Sequence, residues 1–324
     1  MSSIDEIVAP VADYLDLFEE RLGGYLKAEN ELIYELTKHL LSSRGKRVRP
    51  LTLFLAAGAA GHNEEKSLSP AIAIELIHTA TLLHDDVIDQ SKFRRGIETI
   101  SYRWGNLTAV LTGDYYFAKA FKILVNENSP GLLKAVSAAT EQVSIGELGQ
   151  IQELNNTSLS EENYVNIISN KTAALFSCAG ECGAIIAGAN GTKKTRLIDY
   201  GKFLGVAFQI ADDLLDFVGD EKKLGKGVGN DLKEGWFTLP LIYSLKNGSP
   251  AGASEIIKIL ENGFREEQFL KVLEFIEDTG GIDYARGKAS LYRDKALESL
   301  KSIDDSDYKR ALIKLAEFTV AREK

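Results

Sequence analysis

Apolar residues return at every third or fourth position almost throughout this chain, as in Leu15, Leu17, Phe18 and Leu22 and again in Ile33, Leu36, Leu40 and Leu41. That period marks one face of an α-helix, whereas a half-buried strand alternates at every second residue. Runs of the second kind are scarce, so the pattern predicts an all-α fold with strands few or absent. Turn-forming residues interrupt it at 61–69, 126–131, 155–161, 189–194, 219–236, 247–253, 279–281 and 302–307. These breaks leave about a dozen helices. None differs enough in composition to link two domains, and one large helical core can accommodate such a chain. We therefore expect a single domain over residues 1–324.

With 38 basic against 47 acidic side chains the formal net charge is −9, which argues against a nucleic-acid binder, whose phosphate contacts need a basic face. Hydrophobic residues make up 44% and charged ones 26%, and that balance excludes disorder over most of the length. The first residues carry Asp5 and Glu6 where a secretory signal carries Lys or Arg, so a cytoplasmic protein is expected. The apolar stretch at 51–61 is too short to span a bilayer, and the one at 173–190 is interrupted by Glu181. Cys178 and Cys182 stand four apart in a helical pattern, where a bridge would be strained and no further metal ligands are near. They read as small buried residues.

One short pattern occurs twice. Asp85-Asp86-Val87-Ile88-Asp89 recurs as Asp212-Asp213-Leu214-Leu215-Asp216, 127 positions later, each copy near the C-terminal end of an expected helix. At 100° per residue the three acids of a copy fall within a sector of about 100°, with the apolar pair directed to the opposite side and into the core. Crowded carboxylates titrate upward or recruit cations, and an all-oxygen donor set without His or Cys suits Mg²⁺, which takes its remaining ligands from water and phosphate. Basic residues accompany the acids: Arg94-Arg95-Gly96 follows the first copy, and Arg44-Gly45-Lys46-Arg47-Val48-Arg49-Pro50 precedes a strongly apolar helix. Guanidinium groups fork onto phosphate oxygens, so acids and bases together point to a metal-bridged polyphosphate.

At this point the sequence resembles the trans-isoprenyl diphosphate synthases, the polyprenyl synthetase family. Gly45 to Pro50, Glu75-Leu76-Ile77-His78-Thr79-Ala80, the first aspartate motif with Arg94-Arg95-Gly96, and Gly113-Asp114-Tyr115 carry the resemblance in the first half. Lys171-Thr172, Phe208-Gln209-Ile210-Ala211-Asp212-Asp213, Gly225-Lys226, Asn230-Asp231-Leu232 and Thr238-Leu239-Pro240 carry it in the second, and little after Asn247 is diagnostic. The resemblance implies an isoprenoid synthase fold with helices around a central deep cavity. It also implies a Mg²⁺-dependent, chain-elongating prenyltransferase that condenses isopentenyl diphosphate with an allylic diphosphate, probing neither DNA nor membrane interior, and working as a homodimer with peripheral membrane contact for product release. Asp85, Asp86, Asp89, Asp212, Asp213 and Asp216 would hold three Mg²⁺ ions on the allylic diphosphate. Arg94, Lys171, Thr172, Gln209 and Lys226 would hold the same diphosphate, and Lys46, Arg49, His78 and Arg95 the isopentenyl diphosphate. A class I cyclase is the competing enzyme, against which the second aspartate motif speaks. A subunit of a heteromeric synthase is the non-catalytic reading, and such subunits typically lose an aspartate motif.

Two positions depart from the family pattern. Arg44 opens the basic loop where Gly is usual, and only loop flexibility is expected to change. Trp236 stands where Lys is common, leaving one diphosphate-binding cation to be supplied by Lys233 or its place to be taken by Trp236 as a cover over the closed site. Product length is read from the residues preceding Asp85. A helical turn rises about 5.4 Å, on the order of one isoprene unit. Short-chain relatives typically block this wall with an aromatic residue, whereas here Thr81 and Ala80 are small and the next turns offer Ile77 and Ile74. A product longer than C20 is expected, with geranylgeranyl or farnesyl diphosphate as the alternative.

Overall fold

The computed structural model describes residues 4–25, 30–42, 45–61, 65–218 and 229–321. Its helices run in chain order as α1 (Ile4–Val8), α2 (Ala12–Tyr25), α3 (Glu31–Ser42), α4 (Val48–Ala59), α5 (Leu68–Ile88), α6 (Ile100–Trp104), α7 (Asn106–Asn126), α8 (Pro130–Gln152) and α9 (Glu161–Ile168). A π-helical turn, Ser169–Ala173, leads into α10 (Ala174–Ile186) and α11 (Gly191–Val218). The chain continues through α12 (Asn230–Lys233), α13 (Leu239–Asn247), α14 (Pro250–Glu261), α15 (Phe269–Asp278), α16 (Gly281–Ser299) and α17 (Asp307–Val320). The all-α expectation holds. Its one strand pair among the described residues is a two-residue hairpin, β1 (Phe93–Arg94) against β2 (Ile97–Glu98), too short to show an alternating period. Arg95 (φ 51°) and Gly96 (φ 79°) form its left-handed turn.

Two hydrophobic cores carry these elements. The first is built around α4, which is buried from Pro50 through Ala59, and takes in Ile74, Ile77 and Ala80 of α5 and Phe176, Cys178 and Cys182 of α10. The second packs α9, α12, α13, α15 and α16 around Val206, Ile210, Leu214 and Phe217 of α11. Helix α11 joins the two, because Leu197, Tyr200 and Leu204 lie in the first core. Removing a side chain such as Leu53 or Phe54 of α4 would cost about 3–5 kcal/mol through lost contact and the cavity left behind. The two cysteines are free and buried, with sulfurs 3.8 Å apart. No helix among the described residues is long and apolar enough to cross a membrane.

Each aspartate copy does stand at a helix end, Asp89 capping α5 and Asp216 in the last turn of α11. The backing of the first copy differs from expectation: Val87 packs against the first core, but Ile88, the last residue of α5, is 50% exposed, while Asp86 is buried.

Candidate active site

The π-helical turn occupies the ground between the two aspartate copies. Its Lys171 backbone approaches α8 so closely that a Cβ on Gly146 would lie 2.3 Å from the Lys171 nitrogen. Lys171 Nζ then bonds both oxygens of Glu147, each at 2.9 Å, and feels the charges of Asp85 and Asp89. The next residue reaches the other way: Thr172 Oγ1 donates to Gln209 Oε1 at 2.6 Å, and Gln209 Nε2 donates to Asp213 Oδ1 at 2.7 Å. Consecutive residues thus face opposite clusters. A π-turn widens the helix by one residue per hydrogen bond, and such turns recur at functional sites.

Neither cluster presents all its acids equally. Arg94 Nε binds Asp86 at 2.6 Å, so this predicted metal ligand and this predicted diphosphate ligand engage each other. In the second copy Asp212 is exposed, whereas Asp213 is buried and also accepts the Tyr164 hydroxyl. Burial, with Asp212 and Asp216 adding repulsion, raises Asp213 to about 7. Asp216 turns to the backbone, its two oxygens accepting the N–H groups of Asn230 at 3.0 Å and Asp231 at 3.1 Å in the first turn of α12. Two acids that the sequence reading gave no role join these groups. Burial, with Asp85 adding repulsion, raises Glu147 to about 7, and burial beside Asp216, Asp213 and Asp212 pushes Asp231 well up.

The cations gather beside Glu75 and Asp86, with which Arg94, Arg95 and His78 line one cavity. Arg95 lies under Gly45, where a Cβ would come within 2.6 Å of its guanidinium, so the hairpin and the loop carrying Lys46 meet. Lys46 itself is exposed. Arg49 packs its guanidinium 4.8 Å from the Phe176 ring, and its buried Nε has no hydrogen-bond partner among the described residues. Burial lowers Arg49 to about 10, with Glu75, Arg95 and Asp212 among the charges it faces. Burial together with Arg49, Arg95, Arg94 and Arg47 drives His78 well below its ordinary range. Arg47 is structural, held by Glu19 and Glu75 at 2.7 Å each. A buried guanidinium nitrogen without a partner among the described residues, beside a histidine surrounded by arginines, is an arrangement that an anion would satisfy.

Comparison with known proteins decides what this arrangement belongs to. Residues 30–276 match the family described as Polyprenyl synthetase. This chain belongs to the polyprenyl synthetase family. It is 40% identical to the octaprenyl diphosphate synthase of Escherichia coli (strain K12) over 299 residues, 92% of this chain and 93% of that one. It is 36% identical to the geranylgeranyl diphosphate synthase of Saccharolobus solfataricus over 314 residues, 94% of each. Its backbone superposes with a TM-score of 0.95 on a polyprenyl synthase from Caulobacter crescentus CB15 complexed with calcium and isoprenyl diphosphate, at 37% identity, covering 99% of this chain and 98% of the other.

As a polyprenyl synthetase the protein is a prenyltransferase acting on prenyl diphosphates, and Mg²⁺ dependence goes with the family. The remaining sequence expectations divide in this synthetase as follows. Lys226 and Arg44 lie outside the described residues. Lys233 pairs its ammonium with the exposed Glu266 at 3.2 Å. Trp236 does not cover the site: it is 5% exposed and packed in the second core. Ala80, Ile77 and Ile74 are fully buried in the first core, and Thr81 turns its hydroxyl back onto the His78 carbonyl at 2.8 Å.

Proposed function

We propose that this chain elongates an allylic diphosphate with isopentenyl diphosphate to an all-trans polyprenyl diphosphate longer than C20. The observation that supports this reading is the Lys171-Thr172 turn, whose lysine feels Asp85 and Asp89 and whose threonine reaches Asp213 through Gln209, beside the Arg49, His78 and Arg95 group.

The residues present fit Mg²⁺. Burial raises Asp213 and Glu147 to about 7, with neighbouring carboxylates adding repulsion, and a cation relieves the repulsive part. Mg²⁺ keeps waters and draws ligands from a diphosphate, so it needs few protein oxygens. Asp85, Asp89 and Asp212 would hold the metal, three ions being the proposed number, with Asp86, Asp213 and Asp216 shaping the clusters behind them. When bound, Mg²⁺ offsets the charge that builds on the departing pyrophosphate.

Lys171, Thr172 and Lys226, with Arg94 and Gln209 behind, hold the allylic diphosphate. Lys171 and the Thr172 hydroxyl stabilise the leaving oxygen more as it gains charge than before the C–O bond breaks. Lys46, Arg49, His78 and Arg95 hold isopentenyl diphosphate so that its double bond meets the allylic C1 cation at close range and without water. The new C–C bond leaves a tertiary cation, and loss of a proton to the departed pyrophosphate restores the double bond, so no side-chain base is required.

We further propose one polyprenyl synthetase domain over residues 1–324, in the cytoplasm, where thiols such as Cys178 and Cys182 stay reduced. A homodimer is supported by the apolar stripe on α7 and α8, where Leu107, Leu111 and Leu148 are 75%, 57% and 63% exposed. His84 lies 3.2 Å from the Val110 carbonyl of α7, and Glu147 of α8 lies close enough to Asp85 to feel its charge, so both stripes stand near the same end of α5. Product length rests on small Ala80 and Thr81 and on likeness to the octaprenyl diphosphate synthase. Likeness to the geranylgeranyl diphosphate synthase favours a C20 product as the second reading. Incubating the purified chain with isopentenyl and farnesyl diphosphates tests this, with products sized by reverse-phase chromatography. Mg²⁺-dependent products beyond C20 are expected, and products ending at C20 would select the second reading.

A further inference from the structure

Trp236 does not cover the site, yet it is tied to it. Its ring lies against Tyr164 with centroids 6.1 Å apart and planes inclined by 26°, and Tyr164 is fully buried. The Tyr164 hydroxyl donates to Asp213 Oδ2, while Gln209 holds Oδ1 at 2.7 Å. Both oxygens of Asp213 are therefore engaged, and exposed Asp212 is its chain neighbour. The other side of Trp236 leads back to the same helix. Its backbone N–H donates to the Asp231 carbonyl at 2.8 Å, and the Asp231 backbone N–H donates to Asp216 Oδ2 at 3.1 Å. Asn155 N–H clamps the preceding Gly235 carbonyl at 2.8 Å. The path Asp216, Asp231, Trp236, Tyr164, Asp213 thus leaves α11 and returns to it within one turn. A closed circuit of hydrogen bonds and one ring stack holds that turn more rigidly than any open chain of the same contacts, because no member can rotate alone.

We propose that Trp236 is a positioning residue which, through Tyr164, fixes Asp213 and so aims Asp212 at the metal-bound diphosphate. This rests on the proposed role of the second aspartate copy. Where the family commonly places a cation, this chain places a buried aromatic ring whose contribution is geometric. The ring adds no charge to the site, and its effect reaches the ligand only through the phenol. Phe at 236 can keep a ring against Tyr164, whereas Leu keeps apolar volume and loses the stack.

The test is calorimetric titration of the full-length chain with Mg²⁺ in the presence of inorganic pyrophosphate, alongside the KM for isopentenyl diphosphate. Trp236→Leu and Tyr164→Phe should each raise the Mg²⁺ Kd about fivefold or more, and the double variant should be no worse than the weaker single, since both break one path. Trp236→Phe should restore binding to within about twofold, and the KM for isopentenyl diphosphate should stay within about twofold in all of them. Additive effects, an unchanged Kd in Trp236→Leu, or Kd and this KM rising together would overturn the proposal. Should Trp236→Leu fail to fold, Trp236→Met makes the same comparison. Asp212→Ala separates the two levels. If it binds Mg²⁺ and pyrophosphate as wild type does, the two-cluster reading falls and the positioning role with it. If it binds weakly while Trp236→Leu is normal, only the positioning role falls.

Discussion

Lys171 Nζ lies 2.9 Å from each carboxylate oxygen of Glu147, so a cation assigned to the diphosphate is delivered by an acid on a different helix. Glu147→Gln removes the charge that fixes this ammonium. The KM for the allylic diphosphate should rise severalfold while that for isopentenyl diphosphate stays constant, because the arginine group has no bond to Glu147. Steady-state kinetics with each substrate varied in turn checks this, and equal rises in both would speak against the division of the site.

Asp216 should behave differently from Asp85, since its oxygens cap α12 rather than face the first copy. Asp216→Ala should lower stability by about 1 kcal/mol, the usual effect of a lost cap. Asp85→Ala should lower it little and relieve repulsion with Glu147. Urea unfolding of the two variants gives the comparison.

His78 supplies the pH test. Burial and four arginines hold its pKa well below the ordinary 6.5, so the folded chain binds fewer protons here than the unfolded one once the pH falls under about 6.5. Stability from this group is therefore full above that pH and lost as the pH drops. His78→Asn should flatten that acid slope. An NMR titration of the ring should find the pKa rising when pyrophosphate or isopentenyl diphosphate binds, because the anion offsets the arginines.

Ala80 tests product length. It is fully buried in the first core, so Ala80→Phe should destabilise the chain by about 1–3 kcal/mol through overpacking. The same ring should shorten products to about C15 or C20, roughly one turn of helix per isoprene unit. Isopentenyl diphosphate consumption should persist, and unchanged product length would place the growing chain along another wall.

Much of this was legible in the residues, and what was not has physical reasons. The helical period, the two aspartate copies at helix ends and the basic runs are repeated or clustered signals, and the structure places them as expected. Glu147 is a single acid in a helix of ordinary composition, and only the fold brings Lys171 to it. Tyr164 and Trp236 are 72 positions apart, and no local pattern announces their stack. The hairpin of Phe93–Arg94 and Ile97–Glu98 is shorter than one period of alternation. Ile88 looked like core because the Val87-Ile88 pair faces away from the three acids, but a helix's last turn has no following turn to cover it. Equal spacing in the two copies also hid their unequal burial, since Asp212 and Asp213 differ by what stands beside them and not by sequence.

The central claim is that the two aspartate copies work as one metal–diphosphate site. Mg²⁺-dependent incorporation of labelled isopentenyl diphosphate by Asp85→Ala and Asp212→Ala, measured beside wild type with helicity followed by circular dichroism, tests it most directly. Each variant should keep its helical spectrum and lose at least about a hundredfold in turnover, roughly 2.7 kcal/mol of transition-state stabilisation. Activity within about tenfold of wild type in either one, under 1.4 kcal/mol on the same scale, would contradict it.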